Sequence, residues 1–143
     1  DQGVRTAVIN TLRGRVGTMG EISMGKLVGS SYADVRKFLA ESLAGAENEA
    51  VLEYSFDLLI DEDLNVRASA IRSLGVRRET GWLKIMERSL LDDEYVIQRA
   101  AMESLLTDPV RGILILKKYI SKNPGERISA MIRIELQRAG IQP

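Results

Sequence analysis

The sequence predicts an all-α fold, a right-handed α-solenoid of stacked helical hairpins with about four and a half repeats. Three observations predict it. The stretch Asp61 to Gly75, DEDLNVRASAIRSLG, recurs at a constant step of 31 residues: Val66-Arg67 falls on Val35-Arg36 and Val4-Arg5, Leu74 on Leu43 and Leu12, and the forward step reaches Ile97 and Leu105, then Ile128 and Leu136. Each of the first four copies is followed by a second segment whose apolar residues keep helical spacing. Helix-stopping residues separate the segments, from Ala44-Gly45 to Asn123-Pro124-Gly125.

In chain order, the first helix opens at Asp1 and presents Val4, Val8, Ile9 and Leu12 on one face. Its partner falls between Thr18 and Gly29, where Ile22, Met24, Leu27 and Val28 give an apolar side. Gly14, Gly17, Gly20, Gly25 and Gly29 crowd that region, and an interior Gly costs a helix about 1 kcal/mol relative to Ala, so a weak or frayed helix is expected. The second repeat runs from Tyr32 through Val35, Leu39 and Leu43 to Ala44-Gly45, where Gly is expected to supply the left-handed stop. Ala50, Val51, Tyr54, Leu58 and Leu59 mark its second helix. In the third repeat Asp61, Glu62 and Asp63 precede the first helix, Gly75 lies near its end, and Trp82, Met86 and Leu90 form the stripe of the second. Asp92, Asp93 and Glu94 stand at the same place in the fourth repeat, ahead of Ile97, Ala101, Met102 and Leu105. A carboxylate before a first turn accepts from unpaired backbone N–H groups, for about 1 kcal/mol, so both acidic triplets are expected to be caps. Asp108-Pro109 predicts a cap with Pro at the first helical position, opening a helix through Ile113, Leu116 and Ile120. A last helix spans Glu126 to about Ala139 and is closed by Gly140.

The formula D-x-x-V-R-x-x-A-[IL]-x-x-L-G, followed by a second amphipathic helix, resembles the HEAT-like repeats, in particular the short kind also seen in phycobilisome lyases. The match is tightest at Asp63, Val66, Arg67, Ala70, Ile71, Leu74 and Gly75. The fourth copy has Gln98 and the fifth Ser129 where the Arg stands. A two-helix unit with apolar surface on both sides cannot bury it alone, which is why such units stack. The resemblance implies a scaffold or adaptor, and in some arrays an enzyme. Arg5, Arg36 and Arg67 are expected to form a structural ladder to acidic groups or carbonyls of the neighbouring repeat, with a ligand-binding row as the alternative. No linker interrupts the series, so residues 1–143 are expected to form a single repeat domain; because the first residue is Asp1, we expect it to be cut from a longer chain.

Composition excludes more than it selects. The 143 residues contain 20 Lys plus Arg and 20 Asp plus Glu, so no net field draws the chain to nucleic acid or an anionic membrane. There is no Cys and no His, which removes thiolate and imidazole metal ligands and His general bases; no cofactor or metal is expected. No apolar run approaches the roughly 18 residues of a membrane span, and a soluble, cytoplasmic chain is expected. Gly20 to Leu27 matches the phosphate-loop pattern except at Leu27, which lacks the hydroxyl for magnesium, and no strand is predicted before it. The acidic triplets lack the alternate spacing of a calcium loop. Trp82, Phe38 and Phe56 are expected to be core.

Local charge carries the functional expectation. Between Glu41 and Asp63 there is no Lys or Arg, whereas Lys117, Lys118 and Lys122 belong to a basic last third. In arrays of the resembling kind the second helices line the concave face, so Glu49, Glu53 and Asp57 at one end and Lys117, Lys118 and Lys122 at the other are the predicted partner-binding residues. A dipolar protein segment, or a second copy docking head to tail, suits that polarity. The alternatives are a solvated face with no partner, nucleic-acid backbone binding through the basic third, and an enzyme resembling the repeat-containing lyases or DNA glycosylases, for which no catalytic residue stands out.

Overall fold

Helices account for all regular structure in the computed structural model, which describes residues 1–13, 15–46 and 50–143; among them are nine α-helices and two short 3-10 turns, and no strand. The chain divides into two compact units, Asp1–Arg77 and Arg78–Pro143.

The first unit contains α1 (Gln2–Leu12), α2 (Glu21–Val28), α3 (Ala33–Ser42), α4 (Ala50–Leu59) and α5 (Leu64–Arg77). Asp1 caps α1, accepting from the Gly3 amide at 2.7 Å. Only half of its predicted face is used: Ile9 and Leu12 pack against the core, while Val4 and Val8 are exposed, and the main packing of α1 within the unit is on α3. α2 is better formed than its glycines suggested. Gly20 serves as its N-cap and Gly29 as its C-cap, leaving only Gly25 inside the helix, and Met24 is fully buried. α3 packs against α2 and α5, and α4 against α2 and α5, around Met24, Phe38, Leu39, Leu43, Leu58, Val66 and Ala70. Burying each such large side chain contributes about 1.5–3 kcal/mol. Gly45 is not a left-handed stop: α3 instead tightens into a 3-10 turn, Leu43–Gly45. Gly75 lies near the end of α5, as expected; it is buried inside the helix, which continues to Arg77.

In the second unit α6 (Trp82–Ser89), α8 (Arg111–Lys122) and α9 (Arg127–Arg138) pack on α7 (Tyr95–Leu106). The predicted stripes are buried: Trp82, Met86 and Leu90 on and after α6, Ile97, Ala101, Met102 and Leu105 on α7, Ile128, Ile132 and Leu136 on α9. Gly81 starts α6 and Gly140 follows α9 in left-handed conformations, φ 86° and 73°. Gly112 serves a different purpose. A Cβ there would lie 2.0 Å from the Leu105 carbonyl oxygen, so α8 can approach the end of α7 only because position 112 has no side chain.

The caps are partly as expected. Asp63 accepts from the amides of Asn65 (2.8 Å) and Val66 (3.2 Å) and starts α5. In the fourth repeat Asp92 accepts from the Glu94 amide at 2.9 Å, but Glu94, at the N-cap, makes no capping bond, so that triplet shapes the turn rather than capping α7. Asp108 accepts from Val110 (3.2 Å) and Arg111 (2.8 Å) ahead of α8.

Candidate interaction surfaces

The arginine row is a clasp. Arg5 Nε donates to Asp34 Oδ2 at 3.2 Å, and its guanidinium lies over the Tyr32 ring, 4.0 Å from the centroid, tying α1 to the start of α3. Arg36 is buried. Its fork donates to both Asp61 oxygens (2.6 and 3.0 Å) and to Glu62 Oε1 (3.1 Å), while Nη1 donates to the Ser30 carbonyl at 2.8 Å. Arg67 Nη1 repeats the last contact one step on, donating to the Asp61 carbonyl at 2.6 Å. Burial raises the Asp61 pKa, but the Arg36 bond, the Asp63 amide and the charges of Arg36 and Arg67 outweigh it and hold the carboxyl below its ordinary range. The hydrogen bonds that these three guanidiniums make all go to the protein's own oxygens, as in a structural ladder.

Of the predicted contact residues, Glu53 and Asp57 lie on α4 and Lys117, Lys118 and Lys122 on α8. On α4, Glu53, Phe56, Asp57 and Ile60 stand at i, i+3, i+4 and i+7 and form one stripe, the last of them in the turn after the helix. All four are exposed, Phe56 to 51% and Ile60 to 83%. Phe56 is therefore not core, contrary to expectation. The core side of α4 is taken by Ser55 and Leu58, one residue before Phe56 and two after it, which turns Phe56 outward. Glu53 and Asp57 make no ion pair among the described residues, and Glu49 lies outside them.

On α8, Lys118 and Lys122 are exposed and Lys117 is half-buried. Lys118 is not free, since its Nζ donates to Glu87 Oε1 of α6 at 2.9 Å. Both partners are about half exposed, and such pairs contribute only about 0.2–1 kcal/mol. Beside this pair α6 and α8 enclose a depression of about 120 Å³ lined by Leu91, Ile115, Tyr119, Asn123 and Lys122 as well as by Glu87 and Lys118. Lys117 does not reach it. Within the first unit a second concavity, about 280 Å³ between α3 and α5, is of mixed character, with Lys37, Glu41, Asn65 and Arg72 on its polar side and Ala44 and Val76 on its apolar side.

The phosphate-loop match resolves into helix. Gly20 to Leu27 is the N-cap and body of α2, with Lys26 in its last turn, so no loop is available to wrap a phosphate. The described residues include no group of three or more Asp or Glu placed to hold a metal ion, and no helix long and apolar enough to cross a membrane.

The family model for HEAT repeats matches residues 24–106, more than half of the 143. The chain belongs to the HEAT-repeat family. Its all-helical units are those of an α-solenoid, and HEAT repeats commonly act as protein-interaction scaffolds. No curated protein and no solved structure matches the chain. The HEAT match runs from within α2 to the end of α7; it includes the α4 stripe and stops short of α8 and its lysines.

Proposed function

We propose that this HEAT-repeat chain is a protein-interaction module that engages a partner protein through the outward stripes of its second helices, acidic on α4 and basic on α8. The observation that carries the reading is the α4 stripe, where an exposed aromatic and an exposed Ile are interleaved with two carboxylates that have no cationic partner among the described residues. Aromatic residues are enriched at binding hot spots, and a rigid helix that already presents one loses little entropy on association. Glu49, which lies outside the described residues, is included among the acidic contacts of this reading. Lys117 and Lys122 would supply the basic contacts, and Lys118 would join them by giving up its pair with Glu87. The reading includes residues 1–143 acting as one array, supported by the 31-residue step from Val4 to Ile128, and a cytoplasmic location. The likeness to phycobilisome-lyase repeats rests on the same formula around Arg67 and speaks to the repeat, not to lyase activity.

Fluorescence anisotropy with a duplex and a single-stranded oligonucleotide, at low and moderate salt, separates this reading from a nucleic-acid one. We expect no binding at either salt. Binding that weakens steeply with salt and vanishes when Lys117 and Lys118 are replaced by Glu would overturn the protein-partner reading.

A further inference from the structure

The α4 stripe and the α6–α8 depression complement each other. One offers an apolar knob, Phe56, between two carboxylates; the other offers apolar lining from Leu91, Ile115 and Tyr119 beside two ammonium groups, Lys118 and Lys122, the first of which is paired with Glu87. The spacing agrees as well as the sign. Glu53 and Asp57 are four residues apart on α4, and Lys118 and Lys122 are four residues apart on α8, so each pair is separated by one helical turn, about 5–6 Å. The size also fits. A cavity of about 150 Å³ holds benzene, and the depression, at about 120 Å³, is of the same order as a phenyl ring needs.

On these grounds, and resting on the interaction-module reading above, we propose that the partner of the α4 stripe is a second copy of this chain: Phe56, flanked by Glu53 and Asp57, enters the depression between α6 and α8 of the next copy, where Lys118 and Lys122 meet the two carboxylates. Lys118 exchanges Glu87 for a carboxylate of the incoming helix. Since that pair is exposed, the exchange costs little. The two surfaces differ, so every copy carries one of each, and the association is heterologous, able to add further copies.

Sedimentation velocity on the full chain over a wide concentration range, at low and moderate salt, tests this. The weight-average mass is expected to rise with concentration and to fall back as salt is added. Phe56→Ser, and separately Lys118→Glu with Lys122→Glu, are expected to raise the dissociation constant by about ten-fold or more. All of these residues are solvent-facing, so helical circular dichroism stays as in the wild type. The two variants each keep one intact surface. Mixed together they are expected to form a 1:1 dimer that grows no further, which neither forms alone.

A wild-type chain that stays monomeric throughout, or association that ignores both substitutions, overturns self-docking. Photo-crosslinking from position 60 then decides the underlying reading separately. A cross-link to a different protein sinks only the second-copy partner; no cross-link to any protein sinks the interaction stripe itself.

Discussion

At the residue scale the clasp around Arg36 is the most consequential feature. Its guanidinium and the Asp61 carboxylate are both about 8% exposed, and removing one member of a buried pair leaves the other charged and unpaired. Arg36→Ala is therefore expected to cost about 3–5 kcal/mol, measured by urea unfolding; a loss near that of an exposed pair would mean that water reaches the site. The same pair sets a pH dependence. Because the folded Asp61 and Asp108 carboxyls titrate below their ordinary range, the stability they contribute is present above the unfolded carboxylate pKa of about 3.9 and is lost as pH falls through the lower folded values. Asp61→Asn should be the less stable protein at neutral pH and should converge on the wild type in acid, as read from melting temperatures between neutral and strongly acidic buffer. The sequence makes this row visible through the 31-residue step, and the acids that answer it are visible too. That Arg36 is buried is not legible there, since burial comes from three segments brought together. Phe56 was misread for a local reason: Leu58 and Leu59 beside it suggest a core face, whereas Glu53 and Asp57, three before and one after, mark the wet face on which it lies.

At the scale of elements, glycine positions decide whether helices form and how closely they pack. Gly112→Ala would drive a methyl into the Leu105 backbone, which has no flexible end to yield, and is expected to destabilise by about 1–3 kcal/mol or more. Gly125→Ala, where a Cβ meets nothing within 4 Å, is the matched control and should stay near wild type in the same thermal melt. A Gly112→Ala protein as stable as the control would show that α7 and α8 can separate without penalty. Helix existence and the buried stripes of α6, α7 and α9 were legible because a 3.6-residue period is written directly in Trp82, Met86 and Leu90 and their equivalents. Helix ends were less so. Gly20, Gly29, Gly45 and Gly75 look alike in sequence, yet two are caps of α2, one closes a 3-10 turn and one is buried inside α5; backbone conformation, not residue type, separates them.

At the scale of the whole molecule, the single-array proposal has a direct readout because Trp82 is the only tryptophan and lies in the second unit. Thermal unfolding followed by Trp82 fluorescence and by far-ultraviolet circular dichroism is expected to give coincident transitions; a displaced fluorescence transition would mean that the two units unfold separately. The fold class was legible from the repeat step alone, while the identity of a partner is not, since a formula that specifies stacking leaves the outward positions free to vary. That division has a consequence for how such a chain can change over time. Arg36 and Arg67 each hold a carbonyl six residues upstream, so each copy carries part of its own fastening in its own sequence. A tandem duplication of one 31-residue segment would arrive with that fastening included, and the new outward stripe could then diverge without loosening its neighbours.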